Sequence, residues 1–256
     1  MGLTVFRNSQ RLQFSGKLGH MDDTLDKRVE PAWIKALMRY FPVKPFEAVE
    51  AMLSTERLRK IDEVIAERTI TIIPVLEKFY DKGNVSAVLR SAESLGYQQV
   101  HVIRNEGRIK SSRRVTQGAE KWLDIVRWRS TTDCLVHLKS KGYRIAVTCA
   151  ENSVPIHELD VSKPLALLFG AELEGVSEEA LELADVRCHI PMRGFTQSFN
   201  VSVAAAIALY EIGRMRDELG SHGDLRREEQ DLLRKYYHVL STSFKDGLHR
   251  SSGICR

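Results

Sequence analysis

Ile190-Pro191-Met192-Arg193-Gly194-Phe195-Thr196-Gln197-Ser198-Phe199-Asn200-Val201-Ser202-Val203-Ala204-Ala205-Ala206-Ile207-Ala208-Leu209-Tyr210 begins as a short apolar piece stopped by Pro191. It crosses a polar loop and ends as an alanine-rich apolar run. The first part reads as a strand end and loop, the last as a buried helix. Ser198, Asn200 and Ser202 lie at the junction, and these residue types accept from the free amides of a helix start. They cap the helix, hold a ligand against its unpaired N–H groups, or do both.

Working outward, the 256 residues suffice for one α/β domain with terminal additions, and 43% apolar with 28% charged residues is a globular composition. No apolar run approaches the roughly 20 residues of a membrane helix. Net charge is +4 and the pI is near 8.8, which permits a polyanionic partner without requiring one. Cys134, Cys149, Cys188 and Cys255 show neither CxxC pairing nor zinc-like spacing, so no metal site or disulfide framework is indicated and a reducing compartment follows. Residues 1–20 carry Arg7, Arg11 and Lys17 with no acidic residue before Asp22, as in a leader, a tag or a transit remnant. The expected location is the cytoplasm, or a mitochondrion or plastid if that segment is a native transit peptide.

Strand-like and helix-like stretches alternate. Residues 22–50 read as a short helix, a break at Pro42 and Pro45, and a second helix from Phe46. Leu58, Ile61, Val64 and Ile65 recur at helical spacing, with Arg57, Arg59, Lys60 and Arg68 mostly off that stripe. Strands are expected at 69–76, 97–103, 123–128, 144–149, 165–169 and 188–190, and helices at 85–95, 133–141 and 176–184. Residues 107–114, with Arg113 and Arg114, form a basic loop. This alternation implies a parallel sheet covered on both faces. Helical extensions are expected at 21–68 and 214–240 around a domain at 69–213, with a disordered tail at 241–256.

Two further constellations accompany the opening stretch. Asn84-Val85-Ser86-Ala87-Val88-Leu89-Arg90 places Asn84 at a helix start and Arg90 about two turns along. Leu167-Leu168-Phe169-Gly170-Ala171-Glu172-Leu173-Glu174-Gly175-Val176 runs from a strand through a two-glycine loop to a helix, the layout by which an open α/β sheet offers backbone groups to a ligand. It is not a GxGxxG fingerprint, which disfavours a nicotinamide or flavin enzyme.

Taken in order, these three segments resemble the three motifs of the SpoU (TrmH-type) RNA 2′-O-ribose methyltransferases of the SPOUT superfamily. The resemblance covers roughly residues 54–216. It implies a parallel α/β sheet with a C-terminal trefoil knot, one of the rare exceptions to unknotted chains, and a homodimer in which each site is completed by the other subunit. It implies S-adenosylmethionine as cofactor, held by Thr148, Gly170, Gly175, Ile190, Met192 and Phe199. It also implies Arg90 as the catalytic residue, Asn84 and Glu172 shaping the site, and Ser198 and Asn200 beside the methyl donor.

The flanking basic helices resemble those of members that methylate the guanosine at position eighteen of the tRNA D-loop. Arg57, Arg59, Lys60, Arg113, Arg114, Arg214 and Arg216 are therefore expected to contact RNA. The alternatives are ribosomal RNA as substrate and a catalytically silent knotted RNA-binding or assembly factor. The chain departs from the pattern in its extra segment before Ser54 and in Arg193-Gly194-Phe195-Thr196, which replaces more apolar residues.

Overall fold

A computed structural model describes residues 46–104, 113–172, 174–220 and 223–242. The leader, the first helix expected in 22–50, most of the basic loop and the tail from residue 243 lie outside the described residues.

Seven strands form one sheet: β1 Ile72–Glu77, β2 Gln99–Ile103, β3 Asp124–Trp128, β4 Arg144–Thr148, β5 Val154–Pro155, β6 Leu165–Phe169 and β7 Val186–His189. Their order is β3-β2-β1-β6-β4-β7-β5 and every pairing is parallel. β5 was not among the expected strands. At two residues, one of them Pro155, it carries too little pattern to read, and a proline is tolerated there because β5 lies at the sheet edge. The order inserts β6 between β1 and β4, and β7 between β4 and β5.

The helices are α1 Phe46–Glu50, α2 Thr55–Ala66, α3 Lys82–Ser94, α4 Arg113–Thr116, α5 Thr131–Ser140, α6 Glu178–Leu183, α7 Val201–Glu218 and α8 Arg227–Ser241. Alternating residues of the strands feed two cores. Ile72, Leu76, Val100, Leu165, Leu167 and Phe169 face α3 and α7 on one side. Ile73, Val75, Ile145, Val147, Ala166 and Leu168 face α5 and α6 on the other. β1 is buried along its whole length, as a central parallel strand must be.

A third cluster joins the two ends of the chain: Ile61, Ile65 and Ile70 pack with Leu225, Leu232, Leu233, Tyr237 and Leu240. At roughly 1.5–3 kcal/mol for each fully buried side chain of this kind, α2 and α8 stay docked on each other. Asp224 stitches the pair to the sheet, accepting from Thr69 Oγ1 at 2.6 Å, Ile70 N at 2.8 Å and Thr71 N at 3.1 Å. The boundary expected at residue 213 falls inside α7, which runs unbroken to Glu218. The exposed pairs of Arg214 with Glu211 and Glu218 support that continuity.

The apolar run expected to be buried throughout is buried on one side only. Ala205, Ala208, Leu209 and Ile212 are covered, whereas Val203, Ile207 and Tyr210 are 46%, 37% and 63% exposed. Among the described residues no helix is long and apolar enough to cross a membrane, and no group of His, Cys, Asp and Glu could hold a metal ion.

Candidate functional site

The C-terminal ends of β1, β6, β4 and β7 are neighbours in the sheet, and the three motif segments emerge from three of them. After β1, Asp81 caps α3 by accepting from the backbone N–H groups of Gly83 and Asn84. That fixes Asn84 in the first turn. After β6, Ala171 and Gly175 exchange backbone hydrogen bonds at 2.9 and 3.0 Å, closing the loop on itself. This close approach requires glycine at 170, since a Cβ there would sit 2.2 Å from Gly175 C and O. Gly175 itself takes the left-handed region at φ 70°. After β7, residues 191–200 are largely exposed, and Asn200 caps α7 by accepting from Ser202 N at 2.9 Å and Val203 N at 3.4 Å.

The three segments meet through side chains. Asn84 Nδ2 donates to Glu172 Oε1, and Asn200 Nδ2 donates to Asn84 Oδ1 at 3.3 Å. Asn200 thus caps its own helix with its oxygen and reaches α3 with its amide. The capping reading of this residue holds, and its amide adds a contact between α7 and α3. Ser202, whose hydroxyl donates to Asn200 Oδ1 at 2.6 Å, locks that rotamer.

Around this link lie the other expected site residues. Thr148 ends β4, its hydroxyl donating to Leu168 O at 3.1 Å. Ile190 and Met192 are half-buried, Phe199 is 40% exposed, and Ser198 is exposed. Among the described residues, residues 191–199 make no backbone hydrogen bonds to one another or to the rest of the chain, so their amides and carbonyls are free for a ligand. Two thiols lie beside Thr148. Burial pushes Cys188 up to about 12 and also raises Cys149, so neither is a ready thiolate nucleophile.

Arg90 is on α3, exposed, and has no hydrogen-bond or ion-pair partner among the described residues. Six residues along an α-helix correspond to ~9 Å of rise and about 120° around the axis from Asn84. The two therefore share a helix but not a face.

The expected RNA-contacting cations divide. Arg59 and Lys60 are exposed and, among the described residues, pair only with Glu63. Arg57 lies 5.3 Å over the Trp122 ring, with Nε donating to Ser241 Oγ at 3.2 Å. Arg113 and Arg114 belong to α4, but their side chains lie outside the described residues. Arg214 is exposed and engaged by Glu211 and Glu218.

Arg216 is a correction. It is 3% exposed, donating to Val161 O at 2.9 Å and to Asp224 Oδ2 at 3.0 Å, so it holds the C-terminal unit and cannot reach a phosphate. Arg68, read as lying mostly off the apolar stripe, is likewise 1% exposed and paired with Glu93 at 2.8 Å. Arg216→Ala takes the cation from the partly buried Asp224 and the donor from Val161 O, and removing one partner of a buried pair costs up to about 3–5 kcal/mol. The expected result is a drop of roughly 6–20 °C in melting temperature. The salt dependence of RNA binding stays unchanged. A shallower salt slope with normal stability would return Arg216 to the RNA face.

Sequence reasoning did not find Asp81 or Asp224 as supports, and of these only Asp81 had a usable signal, an acidic residue at a helix start. Ser202, read as an acceptor at the helix start, instead donates its hydroxyl to Asn200 Oδ1.

Residues 71–210 match the SpoU rRNA Methylase family. The tRNA (guanosine(18)-2'-O)-methyltransferase of Aquifex aeolicus is 36% identical over 193 residues, 73% of this chain and 92% of that protein. The crystal structure of the A. aeolicus TrmH/SpoU tRNA modifying enzyme superposes with a TM-score of 0.67 at 35% identity, covering 73% of this chain and 98% of that one. An AdoMet-bound rRNA methyltransferase from Sinorhizobium meliloti superposes with a TM-score of 0.53 at 25% identity, over 60% of this chain and 59% of that one.

Proposed function

The chain belongs to the SpoU rRNA Methylase family, and from that premise we propose that it transfers a methyl group from S-adenosylmethionine to a ribose 2′-hydroxyl of tRNA, at guanosine 18 of the D-loop. The observation that carries the reading is the hydrogen-bonded link Glu172–Asn84–Asn200, which draws three distant segments together at the strand ends while an unpartnered Arg90 stands on the same helix.

The residues present fit the cofactor. A bound adenosine needs apolar walls and backbone partners. Ile190, Met192 and Phe199 offer the first, and the free backbone groups of 191–199 the second. Thr148 and the Gly170–Gly175 loop would close the sides. When bound, S-adenosylmethionine supplies an electrophilic methyl group on a sulfonium.

The protein's own contribution is charge and order. Arg90 acts as a cation that stabilises the developing ribose alkoxide and grips the adjoining phosphate. The hydroxyl proton leaves to that phosphate or to water. The Glu172–Asn84–Asn200 link keeps the loops from drifting, and alignment of hydroxyl with methyl supplies much of the rate. Arg57, Arg59, Lys60, Arg113, Arg114 and Arg214 are the cations proposed to meet tRNA phosphates, with binding that weakens as salt rises.

We take the working unit to be a homodimer. Val203, Ile207 and Tyr210 follow one another on α7 at spacings of four and three, so they form one exposed apolar stripe, and Phe199 is exposed just before the helix begins. α7 packs on α3, whose outer face carries Arg90. A second copy covering this face by two-fold symmetry would bring each Arg90 toward the partner's loops. The same symmetry accounts for Arg90 turning off the face of Asn84.

Purified protein incubated with labelled S-adenosylmethionine and, in parallel reactions, unmodified tRNA and ribosomal RNA is expected to give 2′-O-methylguanosine at position 18 of the tRNA, mapped by mass spectrometry of nuclease fragments. Label in ribosomal RNA alone would replace the substrate, and label in neither would end the reading. Sedimentation of an active preparation at monomer mass would end the dimer.

A further inference from the structure

Glu77 is the last residue of β1 and is fully buried, with no ion-pair partner among the described residues. A buried carboxylate without a cation is costly unless its oxygens are hydrogen-bonded. Here one oxygen accepts from Ser177 N at 2.9 Å, and the other accepts from Ser177 Oγ at 2.6 Å and from Thr131 Oγ1. Ser177 lies 100 residues away, immediately beyond the Gly170–Gly175 loop, and its hydroxyl also caps α6.

The loop is therefore held at three places. It is closed on itself by Ala171 and Gly175, tied at Glu172 to Asn84, and anchored where it leaves the site by Ser177 to Glu77. The first two ties fix its internal shape and its outer contact. The third fixes its height over the sheet, because β6 is paired along its whole length with β1, from Ile72 opposite Leu165 to Leu76 opposite Phe169, next to Glu77.

We propose that Glu77 is a positioning residue for the reaction: its carboxylate pins the exit of the Gly170–Gly175 loop so that the loop stands in the form that takes the methyl donor. This rests on the reading of that loop as part of the S-adenosylmethionine site. Thr131 provides an internal comparison, since it bonds the same carboxylate from α5 and has no part in the loop.

The chemistry at Glu77 is acceptor chemistry rather than charge. A glutamine can offer its oxygen to Ser177 N–H and its NH2 to the two hydroxyls, which rotate to accept it. A methionine offers neither and leaves the Ser177 N–H unpaired. Glu77→Met is expected to raise KM for S-adenosylmethionine on the order of tenfold, the factor set by a buried donor left without its partner in the cofactor-ready form. Its kcat should stay within about threefold, because Arg90, Asn84 and Asn200 are untouched. Glu77→Gln restores KM. Ser177→Ala, which removes the hydroxyl's bond to Glu77 and its cap on α6 but keeps the Ser177 N–H bond to Glu77, gives a smaller rise and serves if Glu77→Met does not fold. Thr131→Val lowers the melting temperature but leaves KM unchanged.

Hydrogen exchange of residues 170–177 provides a readout independent of the cofactor. It should quicken in Glu77→Met and in Ser177→Ala but not in Thr131→Val. Unchanged KM and unchanged exchange in the two loop-side variants would overturn the proposal, as would Thr131→Val matching them. If the wild type bound no S-adenosylmethionine the functional reading would fall, and the exchange data would still decide the role of Glu77.

Discussion

Arg90→Ala is expected to lower methyl transfer on the order of 10³-fold, the range seen when one group aimed at a developing oxyanion is removed. The melting temperature should shift by no more than about a degree. Arg90 is exposed and has no partner among the described residues, and surface changes of that kind stay within roughly 0.5 kcal/mol. Activity and stability therefore separate at this residue, whereas at Arg216 they separate in the opposite sense. Arg90→Lys keeps the charge but loses the planar fork that can hold alkoxide and phosphate together, so it should recover only part of the rate. Single-turnover transfer from labelled S-adenosylmethionine, with melting curves on the same samples, measures both. A variant retaining more than a tenth of the wild-type rate would remove Arg90 from the chemistry.

The second large effect is expected at Gly170. An alanine there places its Cβ 2.2 Å from Gly175 C and O and 2.4 Å from Val176 N, all of them backbone atoms. The neighbours cannot give way cheaply, because Ala171 and Gly175 already hold each other by two hydrogen bonds. The loop must open, carrying Glu172 away from Asn84. Displacement of a positioned group by about 1 Å costs on the order of 10²-fold in rate, and that is the loss expected in single-turnover methyl transfer. Gly175→Ala is the informative comparison. Its Cβ meets nothing within 4 Å, so only the left-handed backbone is penalised, by roughly 1–2 kcal/mol. Were Gly175→Ala the more damaging of the two, the shape of the loop would not depend on the close crossing at Gly170.

These two predictions differ in how far the sequence foretells them. Arg90 stands out in the linear chain as the end of a helical segment that resembles a known motif. Gly170 stands out as one glycine of a loop. That it, and not Gly175, lies against another backbone is visible only once the loop is folded.

The sequence by itself determined the alternation of strands and helices, the parallel sheet, the polar junction of Ser198, Asn200 and Ser202 at the start of α7 and the three segments that meet at the strand ends. Each of these is written in spacings of a few residues: hydrophobic periodicity, a cap before an apolar run, glycines after a strand. Tertiary structure alone decided which charges are free. Arg214 and Arg216 are two residues apart on one helix, yet the first is exposed and the second is sealed against Asp224. It also decided that Val203, Ile207 and Tyr210 are left uncovered, and that Glu77 reaches Ser177 across 100 residues. The physical reason is the same in each case. A local pattern fixes the path of the backbone, but the partner of a buried polar group or of an apolar face is set by contacts between segments far apart in the chain, and no short spacing encodes them.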